Sequence, residues 1–435
     1  MLFVGLVLYA SLGKGFAYAG WPPLFVGELL LLVVLAASVR PSMAFPRNLP
    51  ALLAAFLVAV TAVQLILDRI VADVPLQESF RGIAPIYYAG YAFGLYALLR
   101  AYEERAGRRV VAIRIEQAMA RLAPWAVGML TLLAAFLITR PIGMPAWPVS
   151  GVPILLTKSG DISVGLVLFL PALLSGRAAA RLAGHRVPLL ALWFGAALLV
   201  TFRSRGALLA LLLGLVVMRP HAVRLVKGLM VALVVILVLY VSGLTVEVGS
   251  REVSYDAIGD AIESMLGSAP EDDISGTYVG TTTWRADWWE AIWADVQADA
   301  MLLHGHGWGD NLAVRYGISA PPQEGEPALR LPHSIVFSLA GRAGVVVTAG
   351  FLLVPALTIA STFRRRAPRP APLTVQAARG AIVAGIATGL VDVYLEAPQG
   401  GILFWSLLGY LWWAMANPID DAVPHGRAVA RRAVP

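Results

Sequence analysis

Long apolar runs separated by short polar ones set the character of this chain. Runs able to cross a hydrocarbon core of about 30 Å at about 1.5 Å per residue are predicted near 1–17, 22–39, 50–67, 83–100, 122–139, 160–176, 187–203, 206–219, 226–244, 333–361, 375–393 and 399–417. That is an all-α polytopic membrane protein with about twelve transmembrane helices, an even number that puts both termini on one side. One long polar stretch, 245–332, interrupts the series. The chain therefore divides into helices over 1–244, a loop domain over 245–332, further helices over 333–418 and a basic tail over 419–435. The first apolar run lacks a basic flank and a small-residue cleavage site, and is expected to be a retained helix.

Charge orients this plan. Arg40 and Arg47, the run from Arg100 to Arg121, Arg177 to Arg186, Arg219 to Lys227, Arg364 to Arg369 and Arg427 to Arg432 all fall on one side of the alternating topology. By the positive-inside rule that side is cytoplasmic. With 58% hydrophobic and 14% charged residues, against about 25% charged in a soluble domain, the net charge of +7 is a topology signal and does not point to nucleic acid. Cysteine is absent, which excludes a disulfide framework, a thiolate nucleophile and a Cys-ligated metal.

Candidate chemistry lies where charge departs from this rule. Arg203, Arg205, Arg285 and His333 fall on the other side, where an Arg at a membrane boundary is costly and normally has an anionic partner. Phe202-Arg-Ser-Arg-Gly206 joins two apolar runs through a short turn. Two guanidinium groups there suit phosphate oxygens, although Arg side chains also snorkel to lipid headgroups. Arg81 is a further candidate for phosphate, within a group of charges that includes Asp68, Arg69 and Asp73.

Within 245–332, Ser268 to Gly280 reads as a mobile polar linker. Helical character is expected from Thr283 to Met301, with Thr282 or Thr283 as cap. Trp284, Trp288 and Ile292 recur along one stripe, and Arg285, Trp289 and Trp293 along the next. Arg285 would then sit in the first turn, against the helix dipole. The Trp side chains, with Trp308, could form an interfacial belt, stack on sugar faces, or do both. A glycine-rich turn follows, from His304 to Asn311, then a Pro-rich stretch from Ala320 to Pro327. His304 and His306, even with Asp310, make a weak metal signal without a firm third ligand, and the acidic trio Glu271 to Asp273 reads as solvated, so no metal is expected. Pro332 sets His333 at the start of the next span, where a neutral imidazole could act as a base on a hydroxyl.

Taken together, these motifs resemble the O-antigen ligase and O-antigen polymerase superfamily of bacterial inner-membrane glycosyltransferases. Ser204-Arg205-Gly206 is similar to the family's Ser-Arg-Gly turn, Trp284-Arg285 followed by His304-Gly-His306-Gly-Trp308-Gly to its loop helix and Gly-x-Gly turn, and His333-Ser334 with Gly341 and Gly344 to its His-Asn pair and Gly-x-x-Gly. Ser334 departs from the commoner Asn, and His304 and His306 replace residues that are often apolar. The resemblance implies a GT-C-like architecture with a mainly helical periplasmic loop, in a Gram-negative inner membrane. It implies transfer of a glycan from undecaprenyl pyrophosphate to a lipid A-core sugar, without a cofactor. Arg205 and Arg285, with Arg203 and Arg81, would hold the pyrophosphate, His333 would serve as base, and Trp284, Trp288, Trp289 and Trp308 would contact glycan. The alternatives are a polymerase of the same superfamily and a transporter or flippase of lipid-linked glycan. The broken mid-membrane helices and repeat symmetry of a transporter are not seen in the sequence.

Overall fold

A computed structural model describes residues 2–21, 24–39, 45–72, 75–139, 145–174, 185–218, 246–248, 251–253, 276–298, 301–318, 331–364 and 372–416. The expected span at 226–244, the acidic trio, residues 320–327 and most of the 268–280 linker lie outside them.

The described chain is mostly helical. In order the helices are α1 (Leu2–Ala17), α2 (Val26–Ser38), α3 (Leu49–Ala72), α4 (Leu76–Gly82), α5 (Ala84–Tyr87), α6 (Ala89–Ala106), α7 (Arg108–Thr139), α8 (Ser159–Leu174), α9 (Arg186–Arg203), α10 (Arg205–Met218), α11 (Gly276–Ala298), α12 (Leu312–Arg315), α13 (Ile335–Arg364), α14 (Leu373–Val391) and α15 (Pro398–Ala416). A short 3-10 turn, Tyr394–Glu396, links the last two. Two very short strand pairings accompany the helices without changing the all-α character. Gly20–Trp21 pairs antiparallel with Leu24–Phe25, and Val246–Val248 with Arg251–Val253. In the first of these, pairing gives backbone groups between two helices the partners that the helices cannot supply.

Among the described residues, five helices (α3, α7, α9, α13 and α14) are long and apolar enough to cross a membrane. A sixth crossing is available if α4 and the helices after it, bent by 60°, form one broken span. α1, α2, α8 and α10 are apolar but shorter. Large apolar side chains face outward along several helices, including Leu32 on α2, Phe56, Ile66 and Ile70 on α3, Val216 on α10 and Leu353 on α13. An outward apolar surface of that extent suits lipid, and the protein is a membrane protein.

Small residues draw together the helices that carry the site. A Cβ at Gly214 of α10 would lie 3.0 Å from the Gly380 carbonyl oxygen of α14, and one at Gly206 would lie 2.8 Å from Val391 Cγ2. The glycines let the two backbones approach closely, as helices do where lipid supplies no hydrophobic drive. The start of α10 is thereby set beside the end of α14.

α1 is broken at Gly13, whose φ of 59° favours glycine. The segment before α8 fills the break: Gly15 N–H donates to Leu156 O and Trp147 Nε1 to Gly15 O. That contact fixes the approach to Lys158.

Candidate functional site

The site is built on the C-terminal end of α14. Its last carbonyls carry the negative end of a helix dipole and lack intrahelical donors. Asp392 follows in an extended conformation, and its Oδ1 accepts from the Val393 N–H at 2.7 Å and lies 2.7 Å from Lys158 Nζ. His333 Nδ1 is 3.4 Å from the same oxygen. Arg285 donates from Nη1 to the Val391 carbonyl at 3.1 Å. Arg205 lies close enough to lower the proton affinity of Arg285, after the larger effect of burial. Two chain neighbours, Val391 and Asp392, thus collect groups from four other segments of the chain.

Local sequence explains how each arrives. Ser204 ends α9 and opens α10, where its Oγ accepts the Ala207 N–H at 3.4 Å, the usual service of a serine N-cap. Arg205 is therefore the first residue of α10. A cation there opposes the helix dipole. This misfit was expected at Arg285, and the structure moves it: α11 begins at Gly276, not near Thr283, so Arg285 is well inside the helix. The striping of α11 is as expected. Trp288 and Ile292, with Val296, are fully buried in a small core with Leu312 and Ala313, while Arg285 and Trp289 face the site. Trp289 stacks on Phe337, with centroids 5.1 Å apart, and donates from Nε1 to the Pro332 carbonyl at 2.7 Å.

That bond holds the backbone beside His333, whose φ of 55° is the one left-handed non-glycine conformation among the described residues. His tolerates this region better than most residues, and a side chain held there is fixed by its surroundings. Burial pushes the His333 pKa below its usual 6.5, aided by Lys158 and Arg285, while Asp392 pulls the other way. Burial raises the Asp392 pKa, but Lys158 and His333 overcome it, and the carboxyl stays ionised.

The glycine-rich turn plays a different part. At Gly344, with φ of 84°, α13 kinks and releases backbone groups. His306 N–H donates to Gly341 O at 2.8 Å, Gly307 N–H to Arg342 O at 2.9 Å, and Val345 N–H to Leu302 O at 2.7 Å. The two glycine motifs are thus halves of one joint. Asp68 and Gln64 of α3 clamp it, accepting from Trp308 N and Nε1 at 2.7 and 3.1 Å. His306, almost wholly buried, meets Asp295 through Nε2 at 2.7 Å, and the Tyr316 hydroxyl donates to the same carboxylate oxygen. His304 is exposed, with Nδ1 near its neighbour's carbonyl oxygen, and Asp310 pairs with Arg315. These residues form no common ligand set, and among the described residues no three His, Asp or Glu side chains do.

Of the expected site residues, the structure brings together Arg205, Arg285 and His333. Arg203 is the last residue of α9, next to the site turn. Arg81 is apart from them, exposed and paired with Glu78 at 3.3 Å. Trp288 and Trp308 are corrected from glycan contacts to packing residues: each is buried, because its ring completes the core of the loop or the α3 clamp. Trp289 stays at the site, and the Trp284 side chain lies outside the description. Sequence reasoning missed Lys158 and Asp392. Both were discoverable, since Lys158 and Asp392 are charged residues at the ends of apolar runs, as Arg205 is.

A helical membrane protein that gathers fixed cations and a buried histidine at one helix end has the makings of an anion-binding catalyst. Residues 190–352 match the family model described as O-antigen ligase, so this stretch of the chain is similar to that family. The matched stretch contains Arg203, Arg205, Arg285 and His333. No curated protein matches the chain.

Proposed function

We propose that this protein is an O-antigen ligase, moving a glycan en bloc from undecaprenyl pyrophosphate to a hydroxyl of a lipid A-core sugar. The observation that carries the reading is the convergence of Arg205, Arg285, Lys158 and His333 on Val391 and Asp392. Three permanent cations there face Asp392 and the buried Asp161, which leaves a surplus of positive charge. A pyrophosphate leaving group offsets that surplus as it gains charge, and fixed cations do this without reorganising.

In the proposed step the acceptor oxygen attacks the anomeric carbon, the bond from that carbon to the pyrophosphate oxygen breaks, and the pyrophosphate leaves with the electron pair. His333 takes the acceptor proton. With Nδ1–H turned to Asp392, the other nitrogen, Nε2, presents the basic lone pair. A single displacement inverts the anomeric centre. Arg205 and Arg285 hold the pyrophosphate, Arg203 guides it from nearby, and Trp289 with Trp284 offers aromatic surface to the glycan. The site faces the periplasm of a Gram-negative inner membrane in this reading, with 245–332 as the loop domain above it and both termini in the cytoplasm.

Reconstitution with purified lipid-linked glycan and lipid A-core tests the proposal. A covalent lipid A-core product that forms equally in excess chelator is expected. Growth of the lipid-linked glycan instead would make the protein a polymerase, and movement of intact donor between leaflets without a covalent product would make it a transporter. Activity lost to chelator and restored by Mg²⁺ would overturn metal independence.

A further inference from the structure

We propose that the turn carrying Leu302 and Leu303 is inserted into the bilayer, so that lipid acyl chains, as well as α3 and α13, hold the glycine-rich joint. The inference does not depend on the reaction assigned to the site. Its first basis is depth, which two helices fix separately. A crossing takes about 20 residues, and the apolar span of α13, Ile335–Phe363, has 29. Even with all of the surplus on the loop side, the hydrocarbon layer then begins at about Gly344. The turn lies against that residue. Val345 N–H donates to Leu302 O at 2.7 Å, and a Cβ at Gly344 would come within 2.6 Å of Leu302 O and of the Leu303 carbonyl carbon. α3 gives the same level. Its span of 22 residues ends at Ile70. Gln64, about 9 Å before that end, donates to Ala343 O at 3.3 Å and accepts from Trp308 Nε1 at 3.1 Å.

The second basis is what the turn presents at that depth. Leu302 is 42% exposed and Leu303 68%. Val346 on α13 and Ile66, Leu67 and Ile70 on α3 are exposed as well, so the two leucines continue the apolar surface that these helices turn to lipid.

Non-helical backbone at membrane depth needs protein partners for its polar groups. This turn has them: Gly305 N–H donates to Met301 O at 2.9 Å, His306 N–H to Gly341 O at 2.8 Å and Gly307 N–H to Arg342 O at 2.9 Å. Gly305, at a φ of 61°, lets the chain lie this close to α13, since a Cβ there would meet the Arg342 carbonyl carbon at 2.4 Å. With its backbone engaged by α13, the turn meets lipid through two leucine side chains, as the apolar face of an interfacial segment does. The same contact steadies the start of α13, the helix that follows His333.

The chain contains no cysteine, so a nitroxide can be placed on Leu303→Cys in the full protein, reconstituted in phosphatidylethanolamine–phosphatidylglycerol liposomes. Glu290→Cys, at an exposed charged position on α11, is the aqueous reference, and Ile66→Cys on α3 is the lipid reference. Power saturation should give Leu303→Cys an oxygen-to-nickel-chelate collision ratio severalfold above that of Glu290→Cys and close to that of Ile66→Cys. A ratio equal to that of Glu290→Cys would overturn the insertion. So would low collision with both reagents, which would mean that protein covers the leucine. A fluorophore on Leu302→Cys separates insertion from adsorption, and phospholipids brominated on the acyl chain should quench it. Quenching by a headgroup-attached nitroxide alone would put the turn on the bilayer surface and sink the proposal.

Discussion

Two histidine–aspartate pairs, His333–Asp392 and His306–Asp295, use the same two side-chain types for opposite ends. His306 meets Asp295 at 2.7 Å, and Tyr316 completes the set from the other side. His333 stands 3.4 Å from Asp392, whose oxygen is already engaged by Lys158 and a backbone N–H, with Arg285 and Arg205 close by. The first pair is closed and ties the loop helix to the glycine-rich turn. The second is stretched and sits in surplus positive charge. A short pair enclosed by its neighbours ties a fold together, whereas a longer pair set among cations lies where an anion would be drawn.

The sharpest way to break that contrast is His333→Gln against His306→Gln. Transfer should fall by about a thousandfold in the first, the range of general-base loss, with donor binding kept. A near-normal single-turnover rate for folded His333→Gln would leave the residue a positional role only. Arg205→Ala and Arg285→Ala come next, each lowering transfer by about a hundredfold and weakening donor binding as well. Lys at either position should rescue only in part, because it lacks the planar fork.

His306→Gln should show the opposite profile. Loss of a buried charge-assisted contact costs about 1–3 kcal/mol, read as a lower thermal midpoint and faster hydrogen exchange over 301–318. Transfer at low temperature should stay within about tenfold of normal. If transfer instead collapses while the midpoint holds, the two pairs are not different in kind.

The pH dependence sharpens the comparison further. Burial depresses the His333 pKa below its usual 6.5, so activity should hold through pH 6.5 and fall only in more acid solution, where the imidazole finally takes a proton. The smallest effect concerns Glu396, buried near Arg342 with its pKa raised to about 7. A carboxyl with a raised folded pKa gives stability that is present at low pH and lost as pH rises through that value. Glu396→Gln should therefore gain thermal stability relative to the unaltered protein as the pH rises from about 4.5, the ordinary value, to about 7, and hold that gain above it. A constant difference across that range would assign Glu396 another state.

The apolar helices were legible because hydropathy is a local property, and Arg205, Arg285 and His333, which the structure places near one another, stood out in the sequence as charged or polar residues at the ends of apolar runs. Hydropathy over a window sets which segments prefer lipid, and a charge on the wrong side of a boundary needs no partner to be noticed. The striping of α11 was legible for the same reason, since the helical period is local. The start of α11 was not. It lies at Gly276, in a stretch without a sharp stop signal, and moving it transferred the dipole misfit from Arg285 to Arg205.

What only the tertiary structure decided was which residues meet. Lys158 and Asp392 are 234 positions apart, and the two His–Asp pairs join groups that sequence leaves equivalent. Gly206 and Gly214 allow α10 to close on α14, and the kink at Gly344 opens carbonyls for the glycine-rich turn. Those approaches determine that one aspartate is shared by a lysine and a histidine while the other is satisfied. Hydrogen bonding and field strength fall off within a few ångströms, so the chemistry of these groups is set by packing distances that no run of residues encodes alone.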